Sequence, residues 1–217
     1  MHTLPPAGLV GGIDVGYSAT RRSTGFCALT WDADAMRLVF ERTTSDESQR
    51  RAAVDRLFGG LDVLAIGVDG PLVPGLRLVS HYRGAESLLS RGVFGTRGKP
   101  GQTSTPLGQQ LHRHATGLTR LALSRARVVL AQYPDPLVPE AVVEAFPNLF
   151  LGVLIDEDAL PTLNRDASDR YWEQAAVRTP ALSKLMADLL PGRRIEPALS
   201  TVVDHDDRAA VCCALTA

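Results

Sequence analysis

Leu61-Asp62-Val63-Leu64-Ala65-Ile66-Gly67-Val68-Asp69-Gly70-Pro71 is an apolar run, broken only by Asp62, that ends in a carboxylate and a Gly-Pro turn signal. A strand apolar on both faces must be covered on both, which is the habit of a sheet sandwiched between helices. Toward the N-terminus, residues 47–58 place Ala53, Val54, Leu57 and Phe58 on one helical face and stop at Gly59-Gly60. A helix therefore precedes the strand. Further back, residues 23–31 and 36–43 read as two strands, with Asp32-Ala33-Asp34-Ala35 as the turn between them. Residues 9–14 make a first short strand that also ends in a carboxylate, Asp14. The order strand, strand, strand, helix, strand predicts an α/β fold, a mixed β-sheet with helices packed on it.

Toward the C-terminus the pattern loosens. Residues 71–106 are rich in Gly and Pro, and residues 94–103 read as a flexible basic loop. Residues 106–130 read as a helix with Leu111, Leu118, Leu121, Leu123, Val128 and Val129 toward the core. Residues 140–146 form another short strand, and Pro147 opens a helix over 147–154. Residues 167–190 carry one or two helices interrupted at Pro180. Residues 206–217 form a last helix with acids at its N-terminus, the favourable end of the dipole. That pattern reaches Ala217 without a capping signal, and a final strand or tail is expected to follow it in the native protein.

The 217 residues fit one domain, 1–217, with residues 70–134 as a long basic insertion after the fourth strand. No apolar stretch reaches the roughly 18–20 residues of a membrane span. The first residues, Met1-His2-Thr3-Leu4-Pro5-Pro6, lack a signal-peptide pattern. Cys27, Cys212 and Cys213 form no CxxC pair and no disulfide framework. A cytoplasmic location and no membrane partner are the expectation. The net charge of −1 conceals a segregation: residues 70–134 carry nine Arg and Lys against the single acid Glu86. Such a segment suits an anionic partner, or simply a solvated basic face.

Four acidic signatures stand where elements end: Gly12-Ile13-Asp14-Val15-Gly16, Gly67-Val68-Asp69-Gly70-Pro71-Leu72, Val143-Glu144-Ala145-Phe146-Pro147 and Asp204-His205-Asp206-Asp207. Each has a plain alternative: Asp14 and Asp69 as turn formers, Glu144 on a surface strand, one of Asp204, Asp206 and Asp207 as a helix cap. Two carboxylates ending neighbouring strands repel one another unless a cation bridges them. Mg²⁺ or Mn²⁺ suits that oxygen-rich set. Which of the three C-terminal acids joins it does not follow from spacing. His112 and His114, two apart on a helix, share no face, and no zinc set is visible. Walker-type, dinucleotide-binding and GxSxG patterns are absent.

Taken in order, these motifs resemble a family of predicted nucleases with a ribonuclease-H-like fold, classed as a domain of unknown function. The resemblance is carried by Gly12-Ile13-Asp14, Gly67-Val68-Asp69-Gly70-Pro71-Leu72, Arg83 with Glu86, Val143-Glu144-Ala145-Phe146-Pro147, and Asp206-Asp207 before an apolar helix. The chain has Ala209-Ala210 where relatives often have Asp-Ala, so the last acid comes from Asp206 or Asp207. The resemblance implies a ribonuclease-H-like mixed sheet and a metal-dependent phosphodiesterase acting on DNA or RNA. Asp14, Asp69, Glu144 and Asp207 would be catalytic. The metal ligands, for two Mg²⁺ or Mn²⁺ ions roughly 3.5–4 Å apart, would come from Asp14, Asp69, Glu144, Asp204, Asp206 and Asp207. Arg83, Arg91, Arg97, Lys99 and Arg113 would contact phosphates. Two other readings fit parts of the pattern. One is an ATP-binding phosphotransferase of the actin and sugar-kinase type, using the loop at residues 12–20. The other is a silent nucleic-acid-binding module.

Overall fold

The structure is a computed structural model, and it describes residues 4–75, 82–98, 101–131, 140–162 and 167–217. Among the described residues seven strands form one mixed sheet: β1 (Gly8–Asp14), β2 (Thr24–Trp31), β3 (Ala35–Thr43), β4 (Ala65–Asp69), β5 (Val129–Leu130), β6 (Ala141–Ala145) and β7 (Arg194–Glu196). Their spatial order is β5-β6-β4-β1-β2-β3-β7. β1, β2 and β3 are antiparallel neighbours, whereas β4 runs parallel to β1, β6 to β4, and β7 to β3. The chain thus makes a meander, crosses over through α1 (Glu47–Leu57), and returns beside its first strand. The expected α/β class, a mixed sheet flanked by helices, is what the chain forms.

Each face of the sheet has its own core. On one, Ala53, Val54, Leu57 and Phe58 of α1 and its cap meet Ala115, Leu118 and Ala122 of α4 (Pro106–Arg125) over Ile13, Phe26, Ile66 and Val68. On the other, α8 (His205–Thr216) lies against Cys27, Leu29 and Trp31 with residues from α5 (Pro147–Leu154), α6 (Ala167–Trp172) and α7 (Ala181–Leu189) around it. Alternation along β1 and β4 sends Ile13 and Val68 to the first face, and Gly12, Asp14, Gly67 and Asp69 to the second.

The glycines of that second face set how close α8 comes. A Cβ on Gly12 would meet the Ala210 carbonyl oxygen at 1.9 Å, and one on Gly67 would meet that of Cys213 at 2.0 Å. Gly12 and Gly67 are register partners, so together they make a bare track on which the helix backbone rests. Ala210, Val211, Cys212, Cys213 and Ala214 are correspondingly buried.

Several boundaries differ from the sequence reading. β4 begins at Ala65 rather than residue 61; Leu64 instead donates its N–H to the Leu9 carbonyl, leading the chain in. The long helix ends at Arg125, after which the chain turns into β5, burying Val128 but exposing Val129. The basic loop expected from residue 94 is helical at its start, because α3 spans Gly92–Arg97 after a first short helix, α2 (Gly84–Leu89). The break at Pro180 holds, with a π-helical turn over Glu173–Arg178 preceding it. β7, only three residues long, carries no alternating run by which it could be read. Among the described residues no helix is long and apolar enough to cross a membrane.

Candidate functional site

One row of residues crosses the sheet on the α8 face. Asp69 of β4 pairs in register with Asp14 of β1, Asp14 with Gly25 of β2, and Gly25 with Arg42 of β3. Register partners point to the same face, so two carboxylates stand side by side at the ends of parallel strands. Gly25 leaves a gap in the row, and α8 fills it. A Cβ there would meet the Asp206 carbonyl oxygen at 2.4 Å and the Asp206 Cβ at 3.2 Å. Asp206 therefore hangs over Gly25, beside Asp14, in the first turn of α8, where free backbone N–H groups favour negative charge.

The electrostatics follow from this crowding. Asp14 is held well above the usual carboxylate range, first by burial, then by the charges of Asp69 and Asp206 and by hydrogen bonds shared with both. Asp69 is pushed up to about 6, foremost by burial, with the Glu144 charge adding to it and the Asp14 bond and His205 opposing it. Asp206 is raised by burial and Asp204, against the pull of His205, Arg42 and Arg21. Asp14 is the hub, in contact with an acid on either side. Such a trio lacks positive charge at its centre, and carboxylate oxygens are ligands for a hard cation. Among the described residues no group of three or more His, Cys, Asp or Glu is arranged to hold a metal on its own. The set fits an ion such as Mg²⁺, which is commonly held through one or two carboxylates while water and phosphate complete its shell.

The remaining acids of the sequence reading are placed differently. Asp204 caps α8, accepting the Asp206 N–H at 3.0 Å, and pairs with Arg42. Asp207 turns beneath the helix: its Oδ1 is buried without a hydrogen bond, 3.6 Å from Arg42 Nε, and its charge adds to burial in raising the Cys27 thiol. Asp207 is pushed up to about 6, by burial first, with Arg42 opposing. Neither Asp204 nor Asp207 is the acid beside Asp14. Glu144 is the register partner of Val68 and so belongs to the opposite face of the sheet. There it accepts from Arg83 Nη1 and Nη2 at 3.1 and 2.6 Å and from the Leu72 N–H at 3.0 Å.

The expected phosphate contacts divide as well. Arg83 is spent inside the protein, bridging Glu144 and Glu86, and Glu86 is only 4 % exposed. Burial alone would raise Glu86, but hydrogen bonds from Thr103 and Arg83 outweigh it and hold the carboxyl below its ordinary value. Arg97 donates to the carbonyls of Gly152 and Ile155 at 2.9 and 2.8 Å, tying α3 to the end of α5. Arg91 and Arg113 are exposed, and Lys99 lies outside the described residues. The cations near the acids are others. Exposed Arg21 follows β1 and acts on Asp206. Arg208 and His205 share Asp169, at 2.9 and 3.3 Å. A cleft of about 70 Å³ brings Arg208, His205 and Asp169 together with Asp14 and Asp69. Arg21-Arg22, close after the first acid, and Arg208, one residue beyond the last, were the available sequence signals.

These shifts give stability a definite pH dependence. Asp14, Asp69, Asp206 and Asp207 bind protons more tightly folded than unfolded, so raising pH through about 4 to 6 costs the folded state. In EDTA the melting temperature is expected to be higher at pH 5 than at pH 7.5. Mn²⁺ should recover the loss at pH 7.5 by binding the folded state alone. Thermal melts at the two pH values, with and without Mn²⁺, check both; equal stability in EDTA would contradict the burial and crowding of these four carboxyls.

Compared with protein-family models, curated proteins and solved structures, the chain gives no match to any of them.

Proposed function

We propose that the chain is a metal-dependent phosphodiesterase acting on nucleic acid, in which Asp14 and Asp69 would hold the ion with Asp206 beside them. We further propose that its sheet is a ribonuclease-H-like arrangement, in keeping with the predicted-nuclease family that the motifs resemble. The single observation that carries the reading is the row Asp69–Asp14–Gly25, with Asp206 set over the glycine. Three acids so close are unfavourable without a cation: burial first, and then the charges of Asp69 and Asp206, hold the Asp14 carboxyl well above its usual range, and burial raises Asp69 beside it.

Asp14, with an acid on each side, would be the central residue in holding the ion. Bound Mg²⁺ or Mn²⁺ supplies charge neutralisation for phosphate oxygens and a lowered pKa for coordinated water. The protein's part is to hold that charge in place and orient the strand. Exposed Arg21, whose charge acts on Asp206, would contact a flanking phosphate, whereas Arg208 is already engaged with Asp169 and the Val202 carbonyl. Overall, water adds to phosphorus, one P–O bond breaks, and a phosphate monoester and a hydroxyl result.

The test is cleavage of end-labelled DNA and RNA, single-stranded and paired, in Mg²⁺, Mn²⁺ or EDTA. Products that require the metal are expected. ATP-dependent thermal stabilisation without cleavage would favour a phosphotransferase instead. Salt-sensitive nucleic-acid binding without Mn²⁺ binding would favour a silent module.

A further inference from the structure

A second cavity, of about 350 Å³, adjoins the acid cleft, and Asp69 and Phe146 line both. Its size lies at the low end of the roughly 300–1,000 Å³ of small-molecule pockets. Its walls are largely apolar: Tyr17, Pro71, Leu89, Leu107, Leu111 and Phe146. Tyr17 is 42 % exposed, and its ring stacks on His114 at 5.9 Å between centroids and 20° between planes. That places a braced aromatic among the walls.

The charges around the cavity decide what it can take. Among the described residues its charged lining is Arg83, Glu86, Glu144 and Asp69. Arg83 is paired with both glutamates, so no uncommitted cation lines the space among the described residues. A phosphate would enter against net negative charge. A flat, uncharged ring with an apolar face would not.

We propose that this cavity receives one unstacked nucleobase, so that the chain acts on single-stranded nucleic acid. The base occupies the apolar space while its phosphate lies at Asp14 and Asp69, across the wall that the two cavities share. A base inside an intact duplex cannot enter without leaving its stack. The arrangement also accounts for the scarcity of aromatics in the basic segment: the stacking surface comes from Tyr17, in the loop after β1, and from Phe146, after β6. The proposal rests on the phosphodiesterase reading for the substrate's phosphate but not for the base.

The experiment separates the two. The binding probe is 2-aminopurine riboside, a fluorescent nucleoside without phosphate, titrated in EDTA. The variants are Ala85→Trp and Leu107→Trp, both at exposed positions that line the cavity but not the cleft holding Asp14, with circular dichroism to verify folding. The wild type is expected to quench the probe saturably, and each variant to bind roughly tenfold more weakly or worse. In Mn²⁺, single strands should be cut at least about tenfold faster than the matched duplex, with each variant losing about as much on single strands. Probe binding without cleavage by any form would uphold the pocket and overturn the phosphodiesterase. Absence of saturable binding would overturn the pocket. So would folded variants that bind and cleave like the wild type, or a duplex cut as fast as a single strand.

Discussion

Asp14→Asn is expected to lower Mn²⁺-dependent cleavage by on the order of 10³-fold or more, and at the same time to raise the melting temperature in EDTA at neutral pH. The two effects have one cause. Asp14 lies between Asp69 and Asp206, and burial first and then their charges disfavour its ionised form, so removing its charge relieves the metal-free fold. The same removal takes away a carboxylate that would hold the ion. A residue that mattered only for packing would lower stability and activity together. The neighbouring acids give a finer test. Asp206→Asn should approach the Asp14→Asn loss, whereas Asp207→Asn should keep most activity and gain stability, because Asp207 is half-buried with its Oδ1 enclosed near Arg42, and burial raises its carboxyl. Rates on single-stranded substrate and melts in EDTA measure both quantities.

Gly12→Val and Gly67→Val are expected to cause the largest losses of stability. Their added Cβ atoms would meet backbone carbonyls of α8 at 1.9 and 2.0 Å, so no side-chain rotation can relieve the clash. The helix must lift from the sheet, and with it the buried run from Ala210 to Ala214. A cost of about 3 kcal/mol or more is expected, which for a chain of this size lowers the melting temperature by roughly 6–12 °C. Metal affinity should fall further than stability explains, since Asp206 is carried away from Asp14. Gly84→Ala, where an added Cβ meets nothing within 4 Å, is the control.

How much of this was legible depended on which physical signal each residue left in the chain. Asp14 and Asp69 each close a buried apolar run, and carboxylates at the ends of strands β1 and β4 were readable as neighbours. Glu144 was not readable in the same way. Val142-Val143-Glu144 has no alternation to assign a face, and only the pairing of Val68 with Glu144 turns it away from the acids. The choice among Asp204, Asp206 and Asp207 hung on Gly25, a residue in another strand whose missing side chain admits Asp206. Charge counting identified a basic segment but not its use. Arg83 and Arg97 look free in the sequence and are consumed by Glu86, Glu144 and the end of α5. The short elements α3 and β7 left too few residues for any period to show.

The most direct measurement is a crystal structure of the protein grown with Mn²⁺ and recorded at the manganese absorption edge. The expected result is anomalous density in contact with the carboxylates of Asp14 and Asp69, with Asp206 beside it and Glu144 still bound to Arg83. Density centred on Glu144 or on Asp204 instead, or none near Asp14 at saturating Mn²⁺, would contradict the site proposed for this chain.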